Sequence, residues 1–167
     1  MSLNFDEFNS VVSVFEKQSS VLNNNPYLWR KIQDKYVSLT WKEVRKKVEC
    51  LAVALKGNGI LEGDRVVIVS ENRPEWQIAD LAIMALGAIT VPAYITYTED
   101  DYKYLIEDCE PSVVIVSNNT MYKKLEKTIN EKNFIKGVIT FDTIIGINYQ
   151  NKYMNLPSII KNDLTEE

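Results

Sequence analysis

Histidine is absent from all 167 residues. That single absence removes Ser-His-Asp and Cys-His nucleophilic catalysis, His-based zinc sites and imidazole acid–base chemistry, since no other unperturbed side chain changes charge near neutral pH. Cysteine is scarce. Cys50 and Cys109 each sit in an apolar, helical-looking stretch and form no Cys-x-x-Cys pair. They read as small buried hydrophobes rather than zinc ligands or a redox couple, and they suit a reducing cytoplasm. A basic excess is missing as well: the formal net charge is −4 and the lysines are spread along the chain, so nucleic acid is not an expected partner. No hydrophobic run is long enough to cross a bilayer. The most apolar stretch, residues 81–95, is interrupted by Gly87 and Pro92 and falls short of the ~18 to 20 apolar residues a spanning helix needs, so no transmembrane segment is expected. The first seven residues include Asp6 and Glu7 and lack a basic segment before an apolar core, so no secretory leader is expected either.

Glycine is too sparse and wrongly placed for a phosphate cradle. The six glycines form neither Gly-x-Gly-x-x-Gly nor Gly-x-x-x-x-Gly-Lys-Ser/Thr, and Gly57-Asn58-Gly59 follows a helix where a cradle would open one. The acidic run Glu99-Asp100-Asp101 lies where a helix begins, a place where carboxylates satisfy amides and the helix dipole, so it reads as a cap and not as a metal site.

What is present is the composition of one soluble globular domain, with 46% hydrophobic and 25% charged residues. A chain of this length buries about two-thirds of the surface its unfolded form exposes. Phe5, Phe8, Val11, Val12 and Phe15 recur at helical spacing and predict an amphipathic helix over residues 4–19. Two short strands, Leu28 to Ile32 and Tyr36 to Leu39, follow as a hairpin turned by Gln33-Asp34-Lys35. Thr40-Trp41-Lys42-Glu43 has the form of a capping box, and Trp41, Val44, Val48, Leu51, Ala52 and Leu55 lie on one stripe of the helix it opens. Residues 65–70 are a near-continuous apolar run, as in strands covered on both faces. Pro74 and Glu75 suit the first turn of a helix apolar nearly all round. Strand Ala88 to Val91, a helix capped by Thr98, strand Ser112 to Ser117, a helix over 119–130 and strand Gly137 to Phe141 complete the series. Helix and strand alternating from residue 40 predict an α/β layer with a mostly parallel sheet, flanking helices and right-handed crossovers, preceded by an N-terminal helix and a β-hairpin. Residues 1–141 form that unit. Residues 142–167 break the pattern and read as a linker-like tail, with one helical turn near 157–162. No internal repeat is present.

In such sheets ligands gather beyond the carboxyl ends of the strands. The strand-to-helix turn Ser70-Glu71-Asn72-Arg73 is therefore the candidate site, since Asn72 and Arg73 could meet an anion there. The reading preferred from residue types is plainer: a turn held by Asn72, with Arg73 on the surface. Trp29, Trp41 and Trp76 read as core packing.

The ordered set Thr40-Trp41-Lys42-Glu43, Gly63-Asp64-Arg65-Val66, Asn72-Arg73-Pro74-Glu75-Trp76 and Gly87-Ala88-Ile89-Thr90-Val91-Pro92 resembles the start of the AMP-binding acyl-CoA synthetase superfamily. With Ala79-Asp80-Leu81-Ala82 it is most similar to long-chain fatty acid–CoA ligases. The resemblance covers about residues 26–141. It implies the N-terminal subdomain of the acyl-adenylate-forming fold. It also implies a parent reaction in which a fatty acid carboxylate attacks the α-phosphate of Mg-ATP and coenzyme A then displaces AMP. The superfamily performs this with a Ser/Thr/Gly-rich loop ending in Pro-Lys-Gly, a Thr-Glu pair for magnesium, a ribose-binding Asp and a lid Lys, none of which matches a position here. No catalytic, cofactor-binding or metal-binding residue is therefore assigned. The expectation is an N-terminal fragment of a long-chain ligase, inactive alone, whose partners are the remainder of that chain or a second copy met through exposed apolar surface. ATP, Mg2+, CoA and fatty acid are implied for the parent only. The alternatives are a stand-alone, non-catalytic α/β binding or interaction module, and an unrelated small α/β nucleotide binder.

Overall fold

A computed structural model describes residues 8–142 and the backbone of 153–155. It opens with helix α1 (Val11–Leu22), the hairpin β1 (Pro26–Ile32) and β2 (Lys35–Thr40), and helix α2 (Trp41–Gly57). The alternating series follows: β3 (Arg65–Val69), α3 (Pro74–Ala85), β4 (Ile89–Ala93), α4 (Glu99–Cys109), β5 (Val113–Val116), α5 (Asn119–Glu131), β6 (Gly137–Thr140) and β7 (Tyr153–Asn155). The second sheet is parallel throughout, in the order β4-β3-β5-β6-β7.

Alternation of side chains along these strands supplies two cores. Val66, Ile68, Val113, Ile115 and Ile139 face α2 and α3, while Val67, Val69, Val114, Val116 and Val138 face α4 and α5. Each face is covered, which is why the strands carry almost no polar residues. The Thr40 and Thr98 hydroxyls cap α2 and α4 by accepting the amides of Glu43 and Asp101, whose carboxylates reach back. The box read from Thr40-Trp41-Lys42-Glu43 is therefore formed.

Several boundaries differ from expectation. Helix α1 starts at Val11, because Ser10 forms a capping box with Ser13. Phe8 thus lies ahead of the helix, and Phe5 lies outside the described residues, as does the turn read near 157–162. Val11 is exposed and Phe15 carries the buried face. The hairpin turns on two residues, Gln33 and Asp34, with Gln33 at a φ of 53°. Within the segment read as a tail, β7 pairs with β6 in parallel register; a three-residue strand is too short to leave a period-2 signal.

Candidate functional site

The parallel sheet reverses its strand order at β3, which has β4 on one side and β5 on the other. In doubly wound sheets a ligand crevice opens at that reversal, beyond the carboxyl ends of the two strands whose crossovers diverge. Here those strands are β3 and β5, and the space is filled by protein. The Asn118 amide donates to Glu71 Oε1 (3.4 Å) and to Ser117 Oγ (3.0 Å), while its carbonyl oxygen accepts from the Met121 amide (3.1 Å) as the cap of α5. Burial pushes the Glu71 carboxyl up. Hydrogen bonds from Ser117, its own amide and Asn118, with the charge of Arg73, outweigh that and hold it below the usual carboxylate range. An ionised carboxylate thus sits where an anionic ligand would approach.

Arg73 is partly buried and held on two sides, where the reading from residue types has it on the surface. Its Nε donates to Glu75 Oε2 (2.8 Å), its Nη2 donates to Asp142 Oδ1 (2.9 Å), and the guanidinium lies 5.5 Å from the centre of the Phe141 ring. It clamps the start of α3 to the end of β6. Burial alone would lower its pKa, but the hydrogen bonds and charges of Glu75 and Asp142 raise it. Glu75 shows the complementary balance. Burial raises it, and the Arg73 hydrogen bond, its own amide and the charges of Arg73 and Arg30 bring it below the usual range. Nor does Asn72 hold the turn. It is exposed, and the Ser70 hydroxyl instead donates to the Glu71 carbonyl (2.8 Å). The sequence pairs Arg73 with Glu75 at short range, but a partner 69 residues away, Asp142, leaves no local signal.

The open space lies on the β4 side of β3. A cleft of about 470 Å³ runs between Ser70, Glu71, Asn72 and Trp76 on one wall and Pro92, Ala93, Tyr94 and Ile95 on the other. Its lining is mostly apolar. A smaller one, about 330 Å³, lies between the hairpin (Leu28, Trp29) and the first turns of α3, and Asn72 and Trp76 border both. The far wall of the larger cleft is braced from behind. The Tyr102 hydroxyl donates to the Tyr94 carbonyl (2.7 Å), the Tyr97 ring meets Tyr102 edge-on, and Lys124 Nζ donates to the carbonyls of Ile95 (3.0 Å) and Tyr97 (3.4 Å). Burial, reinforced by Tyr97 and Glu71, pushes the Tyr102 phenol up to about 12.

The tryptophans divide. Trp41 stacks on Tyr27 with ring centres 3.7 Å apart, as core packing predicts. Trp76 packs on the core and borders both clefts. Trp29 departs from core packing: it is exposed and borders the smaller cleft.

The residues at the strand-order reversal do not fit a polyphosphate. Arg73 is engaged by two carboxylates, Glu71 is ionised, and α3 begins with Pro74, which has no amide to offer. Among the described residues, no group of three acidic, cysteine or histidine side chains could hold a metal ion. Glu99 and Asp100 lie in the first turn of α4, where Asp101 completes the Thr98 cap.

A family model described as "AMP-binding enzyme" matches residues 15–152. The long-chain-fatty-acid–CoA ligase FadD15 of Mycobacterium tuberculosis is 35% identical over 103 residues, covering 60% of this chain and 17% of the relative. Long-chain-fatty-acid–CoA ligase 1 of Cavia porcellus is 30% identical over 131 residues, covering 77% of this chain and 19% of the relative. The chain therefore spans about a fifth of the length of such relatives. Among solved structures, coronafacic acid ligase from Pectobacterium brasiliense superposes with a TM-score of 0.80 at 20% identity, covering 90% of this chain and 29% of that one. At that identity the likeness speaks for the fold.

Proposed function

The chain belongs to the AMP-binding enzyme family, and on that premise we propose that it forms the N-terminal α/β scaffold of a long-chain fatty acid–CoA ligase, with the adenylating machinery lying in polypeptide beyond it. The observation that carries the reading is the match to relatives named as long-chain ligases over 60% and 77% of this chain but only 17% and 19% of theirs. The site itself supports it. Forming an acyl-adenylate brings a carboxylate against a polyphosphate, and that needs positive charge or free amides aimed at the meeting point. At the strand-order reversal this chain presents an ionised Glu71 and an Arg73 already held by two carboxylates. The scaffold's contribution is mechanical. It fixes β3, β5 and β6 at their carboxyl ends through Glu71, Asn118, Arg73 and Asp142, and so offers a rigid wall to the catalytic half.

In this reading ATP, Mg2+ and CoA belong to the parent ligase, residues 1–141 are the scaffold, residues 142–167 lead towards the catalytic part, and the protein works in the cytoplasm. Among the described residues, no helix is long and apolar enough to cross a membrane. The test is fatty-acid-dependent exchange of labelled pyrophosphate into ATP. The purified 167-residue chain is expected to give none, and exchange above the no-enzyme rate overturns the proposal. A longer polypeptide containing this segment and the downstream coding sequence is expected to exchange with palmitate and to make acyl-CoA.

A further inference from the structure

The larger cleft, about 470 Å³ between the 70–76 wall and the 92–95 wall, falls within the ~300 to 1,000 Å³ typical of small-molecule sites, which join an apolar lining to a few polar groups. Its charge is one-sided. Among the described residues, Glu71 is the one charged residue that lines it. The cations bonded to its walls are occupied: Arg73 by Glu75 and Asp142, and Lys124 by the carbonyls of Ile95 and Tyr97. The Tyr102 phenol, which bonds the Tyr94 carbonyl, is raised by burial, by Tyr97 and by the charge of Glu71, so that charge is felt at the far wall. A carboxylate accepts at about four lone-pair positions, and the bond from Asn118 is long at 3.4 Å, which leaves acceptor capacity for an incoming donor. Trp76 and Tyr94 stand on opposite walls, and Tyr94 is 72% exposed. Aromatic rings hold an apolar body by burial and draw a cation to their faces.

We propose that this cleft binds a small organic amine in its ammonium form, with the ammonium against Glu71 and a compact apolar or aromatic body between Trp76 and Tyr94. The lining sorts ligands by charge. A carboxylate entering the cleft would meet Glu71 with no unengaged cation along the lining to offset the repulsion. A neutral apolar molecule would cover the walls but leave the Glu71 oxygens without the donor that water had supplied. A protonated amine meets both demands, since it brings donors and a counter-charge to Glu71 and buries its body against the walls. The inference does not rest on the ligase reading, because it concerns what the cleft of this chain holds and not what lies beyond the chain.

The experiment titrates the isotope-labelled full chain, at neutral pH and low salt, with three probes that share one phenylethyl body: phenethylammonium, phenethyl alcohol and hydrocinnamate. In amide-proton spectra the ammonium is expected to shift the Trp76 indole N–H and the Ala93 and Ile95 amides saturably. It is expected to bind about tenfold more tightly than the alcohol, the gain of one charge-assisted hydrogen bond, and that gap is expected to narrow as salt is raised. Hydrocinnamate is expected to leave those signals in place. Glu71→Gln keeps an oxygen for Asn118 and is expected to weaken the ammonium about tenfold, to the affinity of the alcohol. Tyr94→Ala, at an exposed position, is expected to weaken the ammonium by about threefold. The proposal fails if the ammonium leaves the Trp76, Ala93 and Ile95 signals unmoved, or if the alcohol or hydrocinnamate binds as tightly. It fails equally if a folded Glu71→Gln variant keeps the full preference for the ammonium. Should that variant not fold, the comparison of the three probes on the unaltered chain decides by itself.

Discussion

Replacing Arg73 with methionine takes a cation from between two carboxylates while keeping a side chain of similar reach over Phe141. The Arg73 and Glu75 side chains are only 25% and 19% exposed, whereas Asp142 is 50% exposed. The two halves of the clamp therefore differ. A charge-assisted hydrogen bond in the sheltered Glu75 half is worth about 1.5 to 3 kcal/mol. The open Asp142 half counts as a surface pair at about 0 to 1 kcal/mol. Losing the cation over Phe141 costs about 0.5 kcal/mol more. Arg73→Met should thus destabilise the chain by about 3 kcal/mol, a fall in Tm of roughly 6 to 12 °C for a domain of this size. The acid side carries the sharper signature. Glu75 titrates below its unfolded value, so its contribution is present above about pH 4.3 and is lost as pH falls through the lower folded value. Without Arg73, burial is opposed only by the residue's own amide and by Arg30 at 3.4 Å. Its carboxyl then moves up, and protonation relieves the variant where it harms the parent. The stability gap measured by urea unfolding should be widest near neutrality and narrow as the pH is brought below about 4. Arg73→Lys should recover about half the loss, since an ammonium cannot meet both carboxylates in the fork geometry. A variant within about 0.5 kcal/mol of the parent, the range of an ordinary surface substitution, with a gap that ignores pH, would refute the clamp.

Three further outcomes follow from single positions. Tyr102→Phe removes the donor to the Tyr94 carbonyl and should cost about 1 kcal/mol in urea unfolding. Because the folded phenol is raised to about 12, its share of stability is present below the unfolded value of about 10 and is lost as pH rises towards 12, so alkaline unfolding should be shallower in the variant. Gly87→Ala should be worse than Gly63→Ala. Both glycines have left-handed φ (70° and 79°) and share about 1 to 2 kcal/mol of backbone strain, but an added Cβ at 87 meets Glu62 Cγ at 2.9 Å and at 63 meets nothing within 4 Å; circular dichroism melts should place Gly87→Ala below Gly63→Ala by the cost of displacing the Glu62 side chain. Leu51→Ala, at a fully buried position in the α2 face of the core, should lose about 2 to 5 kcal/mol, and a smaller loss would mean that the cavity collapses.

The sequence conveyed the scaffold well because its signals are local. Thr40 with Glu43 and Thr98 with Asp101 mark helix starts within four residues, and the unbroken apolar runs at 66–69 and 113–116 declare strands covered on both faces. The site was only half legible. The turn at 70–73 was locatable from its place after a buried strand, yet the roles within it were not. Asn72 looked like the residue holding the turn, and Arg73 looked free. The turn is tied down instead by Asn118 on Glu71 and Asp142 on Arg73, 47 and 69 residues further along the chain. Trp29 was misjudged for a related reason. A tryptophan beside core leucines in a strand reads as buried, but alternation puts Trp29 on the opposite face from Leu28, and only the extent of the neighbouring layer decides whether anything covers it.

The same turn network determines how the chain should answer ATP, and this separates a ligase scaffold from a small nucleotide binder sharing its topology. A nucleotide at the strand-order reversal would have to bring its phosphates against Glu71, whose carboxyl is held ionised. It would find Arg73 committed, the start of α5 capped by Asn118, and Pro74 without an amide at the start of α3. Helix termini attract anions through unsatisfied amides; here Asn118 takes one at α5 and Pro74 removes one from α3. Calorimetric titration of the chain with Mg-ATP should therefore show no saturable heat in the micromolar range. Glu71→Gln should not create it, because neutralising one carboxylate leaves the caps and the Arg73 clamp in place. Micromolar binding by the unaltered chain would mean that the network opens for phosphate, and the scaffold reading would give way to a nucleotide-binding one.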